Sequence, residues 1–372
     1  MKEEFQAFSE MVCADATYKL IDIKIPLYVL LIEDDNGRSE ITAFGLFVNE
    51  QRETLEWFFN KYKECYLACS MTRVFITDKS LSIIIIIIFL YLDMKERTVI
   101  KPLFPQCRLV ICLFHTLRTF NLVITCEKLG ITPDERDRSK GIIEKLRYCK
   151  SEREYQDMYT IFLSEAPHAV KNYFIKNWHD IREEWVTGLA FNSGNFLNAT
   201  NNRLESFNSK LKSVIPIFLN LSDFFKQLFV ILKCVRSERD NKTIGVIQKH
   251  PTKKFKNDDE YKYYKLLTPY EFNYLKQSLS ITDNSNVLCT TLTVCSCGFF
   301  NSMKLPCIHI FNKWISTNNC LYDEKLCDKR WTRNYYYMSQ TILKEPLMPC
   351  EGETPVFVDV QPKISKIINK II

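Results

Sequence analysis

Between residues 9 and 48 the apolar and polar positions fall into three short blocks, SEMVCADAT, IPLYVLLIEDD and SEITAFGLFV. Runs of this kind, rich in β-branched and aromatic residues, predict strands, and Asp34-Asp35-Asn36-Gly37 predicts a tight hairpin turn between the second and third. The period then changes. In RETLEWFFNKYKECY, Leu55, Phe58, Phe59, Tyr62 and Tyr66 recur at three- and four-residue intervals, which predicts a helix. TRVFITD, ending at Asp78, reads as a fourth strand, and RLVICLF as another that leads into HTLRTFNLVI. Three strands joined by short, antiparallel connections, then helix, strand, helix and strand, predict an α/β fold with a mixed sheet.

Downstream the helical period dominates. YFIKNWHDIREEWV carries Tyr173, Trp178 and Trp185, expected to pack in a core rather than to stack on bases. In NATNNRLESFNSKLK, Leu204, Phe207 and Leu211 form one apolar helical face, with Asn201 and Asn202 as candidate caps and Glu205 off that face. One run fits no element. Residues 81–92, LSIIIIIIFLYL, are too few to cross a bilayer, which needs about 20 apolar residues. They also exceed the usual strand of about 5–6 residues. A third reading is that AT-rich non-coding DNA has been translated here.

Composition narrows the chemistry. Nine glycines in 372 residues leave no G-x-G-x-x-G, G-x-x-x-x-G-K-[ST] or G-x-S-x-G, which removes dinucleotide folds, P-loop enzymes and nucleophile-elbow hydrolases. The five histidines form no H-E-x-x-H. Fifteen cysteines behind a polar, acidic N-terminus argue against a secreted disulfide framework, so they are expected to be core residues or metal ligands. The net charge of +6 is matched by one stretch, Lys226 to Lys265, with eleven basic and five acidic residues. It is either a solvated helical surface or a phosphate-tracking one, with Lys249, Lys253, Lys254 and Lys256 as candidate nucleic-acid contacts.

Asp15 closes the first strand and Asp78 the fourth, where open α/β sheets place their chemistry, and Glu205 could reach the same strand ends. Three converging carboxylates would hold two hard divalent cations and support attack on a phosphodiester. DATYKL at 15–20, VFITDK at 74–79, FPQCRLVICLFHTLRTFN at 104–121 and NNRLESFNSKLK at 201–212 together resemble the core of Mutator-like transposases and of the SWIM-type zinc-finger proteins derived from them. The resemblance covers about residues 8–215. It implies an RNase H-like fold, Asp15, Asp78 and Glu205 as a D, D, E set using Mg²⁺ or Mn²⁺, Cys112 and His115 as a C-x-x-H element, and a helical insertion at about 133–190. Deleting 81–92 restores the family pattern. The chain starts only fourteen residues before Asp15, so a separate end-recognition module is expected to be missing.

Residues 294–309, VCSCGFFNSMKLPCIH, place Cys295, Cys297, Cys307 and His309 as C-x-C and C-x-H pairs. Three thiolates and one imidazole match the tetrahedral donor set of Zn²⁺. Gly298 is expected to permit a tight turn, and HIFNKWI to form a buttressing helix. The pattern resembles the SWIM zinc finger, which implies a closed structural site contacting DNA or protein.

The sequence therefore predicts an α/β, RNase H-like mixed-sheet core over 8–215. A basic helical connection follows over 216–285, a SWIM-type finger over 286–330 and a tail over 331–372. The leading function is a zinc-binding, transposase-derived protein that contacts DNA or a protein, in the nucleus or alternatively the cytosol, not secreted, with no membrane and no small-molecule cofactor. An active transposase and a protein-interaction scaffold are the alternatives.

Overall fold

A computed structural model describes residues 2–49, 51–77, 95–191, 194–216, 218–248, 255–280 and 290–343. Asp78, the 81–92 run, Lys249, Lys253 and Lys254 lie outside the described residues. The centre is a five-stranded mixed sheet formed by β1 (Met11–Thr17), β2 (Leu27–Glu33), β3 (Ser39–Leu46), β4 (Val74–Thr77) and β5 (Arg108–Ile111). Their order is β3-β2-β1-β4-β5, with β1, β2 and β3 antiparallel and β4 and β5 parallel to β1. Asp15 pairs with Val29 inside β1 and is followed by two further strand residues, so it stands near the strand end rather than at it.

Every position of β2 is buried because both faces of the sheet are covered. Tyr28, Leu30 and Ile32 join Val12, Ala14, Phe75 and Leu109 on one face, beneath Leu55, Phe58 and Phe59 of the Arg52–Cys65 helix and Val99 and Ile100 of the Lys95–Leu103 helix. Leu27, Val29 and Leu31 join Met11, Cys13, Val74 and Ile76 on the other face, beneath Leu204, Phe207 and Leu211 of the Asn202–Val214 helix and Phe224, Leu228 and Ile231 of the Leu221–Gln248 helix. Side chains alternate along a strand, so Asp15 shares the face of Met11 and Cys13. That face is covered by the helix bearing Glu205.

Helices from Leu113 to Ala190 form a separate apolar cluster around Phe120, Phe174, Trp178 and Trp185. Both tryptophan indoles are fully buried and satisfied: Trp178 Nε1 donates to the Tyr173 hydroxyl (3.0 Å), and Trp185 Nε1 to the Trp178 carbonyl (2.9 Å). These aromatics are core residues. The Pro133–Arg147 helix opens with a reciprocal cap between Thr132 and Glu135 and with proline at its start, which satisfies amides that the first turn leaves open.

The basic stretch is only partly a free surface. Arg239 is buried between Glu40 (2.7 Å) and Glu4 (3.2 Å), and Arg236 meets Glu4 at 2.6 Å. Lys262 pairs with Asp258 at 3.0 Å. Counting cations along the chain overstates the exposed charge, because the buried Arg239 and the half-buried Arg236 join the N-terminal helix and β3 to the Leu221–Gln248 helix. Lys256 is exposed.

Residues 331–343, expected as tail, are built into the fold. Trp331 and Tyr336 are buried, Tyr335 donates its hydroxyl to the Ala7 carbonyl (2.8 Å), and Arg330 bridges Glu10 and the Glu33 carbonyl (2.6 Å to the latter). The β2–β3 turn is also covered: Thr268 Oγ1 donates to the Asp35 carbonyl at 2.7 Å. Gly37 has φ +69°, and a Cβ there would fall 2.7 Å from the Tyr270 ring. Gly37→Ala combines left-handed backbone strain with displacement of that ring. It is expected to cost about 1–3 kcal/mol in chemical denaturation, with the slope against denaturant unchanged.

Candidate metal centre and acidic site

Cys295, Cys297, Cys307 and His309 converge, their ligand atoms all within 4.8 Å of one another. Their placement follows from two helix starts. Cys297 precedes the Gly298–Met303 helix and accepts the Phe300 N–H on its Sγ (3.4 Å), while Cys307 precedes the Ile308–Ser316 helix, which carries His309 in its first turn. A helix N-terminus favours a thiolate. His309 Nδ1 stands 3.6 Å from both Cys295 Sγ and Cys307 Sγ. A tetrahedral zinc with bonds of about 2.1 Å to nitrogen and 2.3 Å to sulfur separates such ligands by about 3.6 Å. The residues present therefore fit Zn²⁺. The Cys307 thiol donating to Cys297, aided by the Phe300 amide, holds the Cys297 thiol down near 5, against the opposing effect of burial.

Gly298 does not make the expected tight turn. It starts a helix instead, and left-handed backbone falls at Lys304 (φ +52°) and Asn318 (φ +54°). An isolated antiparallel bridge pairs Thr290 with Cys295. Ile310 and Trp314 are buried beneath the group as expected, and Trp314 Nε1 donates to the Leu292 carbonyl at 2.8 Å. Cys327 is buried, but Cys320 and Cys65 are exposed, so not every remaining cysteine is a core residue.

At the strand ends, Asp15 is half-buried and its carboxylate is committed on two sides. Oδ1 accepts the Ala16 N–H (2.7 Å), and Oδ2 accepts the side-chain amide of Asn208 (3.0 Å). Asn208 lies three residues beyond Glu205, on the same side of the Asn202–Val214 helix. Asn201 does not cap that helix with its side chain; its amide donates to the Ala14 carbonyl (3.2 Å). Two asparagines thus fasten the helix to β1, and neither contact was legible beforehand, although an asparagine spaced for one helix face beside apolar Leu204 and Leu211 was a usable signal.

Glu205 turns toward Cys112 and His115. One ligand atom from each of these three residues lies within 4.8 Å of the other two, and Asp15 is not a member of the group. Cys112 follows β5 directly, its N–H donating to the Thr77 carbonyl (2.9 Å) and its Sγ accepting the Asn201 N–H (3.3 Å). The same loop reaches the C-terminal group: the Leu113 N–H donates to Ala199 (2.7 Å), the Leu197 N–H to Ser302 Oγ (3.0 Å), and Ser302 Oγ to Asn195 Oδ1 (3.0 Å).

Residues 1–110 match the family described as Zinc finger SWIM domain-containing protein 1/3, RNaseH-like domain. The match covers the mixed sheet through most of β5 and gives that part an RNaseH-like character; it stops short of the Cys295 to His309 group. No curated protein matches the chain.

Proposed function

We propose that the protein is a SWIM-type zinc protein whose RNase H-like core, residues 8–215, descends from Mutator-like transposases. In this reading residues 286–330 form the finger that contacts DNA or a protein partner, in the nucleus. The observation that carries the reading is the convergence of Cys295, Cys297, Cys307 and His309 at spacings suited to one tetrahedral zinc. All four positions are protein ligands, so the metal has a structural role and leaves no site for substrate. Among the described residues no helix is long and apolar enough to cross a membrane.

Metal analysis and a DNA titration test this together. Cys295→Ala with Cys297→Ala is expected to remove the zinc held there, and retention of that zinc would refute the assignment. If DNA is the partner, affinity falls steeply with salt and drops in the same double variant. Affinity that is absent at low salt leaves a protein partner as the remaining contact.

A second reading, two-metal strand transfer by Asp15, Asp78 and Glu205 with Mg²⁺ or Mn²⁺, draws support from the shared helix side that places Asn208 on Asp15 and Glu205 one turn away. It predicts strand-transfer activity that Asp15→Asn abolishes.

A further inference from the structure

We infer that Cys112, His115 and Glu205 form a second metal site, for one borderline transition-metal ion such as Zn²⁺, distinct from the group at 295–309. This goes beyond the proposed function and does not rest on it. The three residues come from the position just after β5, the first turn of the Leu113–Val123 helix and the first turn of the Asn202–Val214 helix, and their ligand atoms all lie within 4.8 Å of one another. Cys112 forms the floor. It is fully buried, and the Asn201 N–H on its Sγ is the kind of outer contact that fixes the orientation of a ligating sulfur. His115 follows on the same helical side as its cap residue.

Glu205 Oε1 is a buried atom that accepts no hydrogen bond among the described residues. It stands 3.8 Å from His115 Nδ1, too far for a hydrogen bond and close to the separation of two ligands on one ion. An occupied site would satisfy that oxygen. The donor set also selects the metal: a thiolate disfavours Mg²⁺ and Ca²⁺, while sulfur, nitrogen and oxygen together suit Zn²⁺ or Co²⁺. With three protein ligands, and with Glu205 about one-third exposed, the fourth position faces solvent and can hold water. The C-terminal group, by contrast, supplies all four ligands itself.

The consequence for the acidic residues is specific. While the ion is bound, Glu205 is engaged with Cys112 and His115, and Asp15 is held by Ala16 and Asn208 outside that sphere.

The full chain produced with Co²⁺ as the metal probe decides the matter. Wild type is expected to hold two Co²⁺ per chain. His115→Ala and Glu205→Gln, both at partly exposed positions, should each hold one while keeping the wild-type circular dichroism spectrum. The Cys295→Ala, Cys297→Ala double variant should keep one ion, with the weak charge-transfer band of a single thiolate, and millimolar Mg²⁺ should not displace it. One Co²⁺ in wild type with none in the double variant overturns the inference. So does retention of two ions in both His115→Ala and Glu205→Gln, or displacement of the ion by Mg²⁺.

Discussion

Cys307→Ala is expected to release the C-terminal metal and to unfold the surrounding unit while the β-sheet stays folded. Cys295 and Cys307 sit inside one apolar cluster with Tyr263, Leu275, Phe311, Trp314 and Trp331, so a metal held by them would be coupled to the core that encloses it. Structural zinc sites in small modules contribute about 10–16 kcal/mol of apparent binding free energy, which is also folding free energy. Amide hydrogen exchange in the variant should show protection falling by several orders of magnitude across 290–340 and by much less in β1, β2 and β4. Unchanged protection in 290–340, with zinc retained, would show that the cluster holds without this ligand.

Arg330→Leu is expected to cost about 3–5 kcal/mol, the range for removing one partner from a buried ionic cluster. Its guanidinium bridges Glu10 and the Glu33 carbonyl, and it lies 4.4 Å over Phe196, 4.8 Å over Trp331 and 5.0 Å over Phe8. It is also the cation facing Asp35 and Glu271, whose carboxylates are buried without hydrogen-bond partners among the described residues. Burial raises both acids well above the ordinary carboxylate range, with the neighbouring Asp34 and Glu33 adding to it, and Arg330 opposes the rise. An acid whose pKa is raised by folding adds stability below its unfolded pKa, and that contribution is lost as pH rises. Without Arg330 the folded pKa values climb further, so the loss on raising pH deepens. The deficit of the variant in urea unfolding should be larger at pH 8 than at pH 5; equal deficits at the two pH values would remove the electrostatic part of this account.

The strands and the Arg52–Cys65 helix were legible because each side chain reports its own environment. Period-two and period-3.6 spacing, and the Asp34-Gly37 turn, depend on local chemistry alone. The meeting of Cys295, Cys297, Cys307 and His309 was legible for the same reason, since C-x-C and C-x-H bring three thiols and an imidazole to two neighbouring helix starts. What stayed hidden depends on long-range pairing. Arg239 looks like a surface cation until Glu4 and Glu40, some two hundred residues earlier, close around it. Asn208 and Asn201 look like ordinary helix and cap residues until β1 is laid beside them. Trp331 and Tyr336 read as tail because their partners, the Met303 carbonyl and Thr243, belong to distant segments. Asp78 is a strand-end carboxylate by sequence and lies outside the described residues.

The interlock of Arg330 and Tyr335 with Glu10, Phe8 and Ala7 bears on how the chain is synthesised. Ala7, Phe8 and Glu10 leave the ribosome more than three hundred residues before the groups that cover them. Until then the Phe8 ring lacks the Tyr335 and Arg330 side chains that pack on it. The sheet can collapse early, but its final closure waits for the last described helix, so a premature stop near residue 320 should give a chain that is made, partly folded and readily degraded.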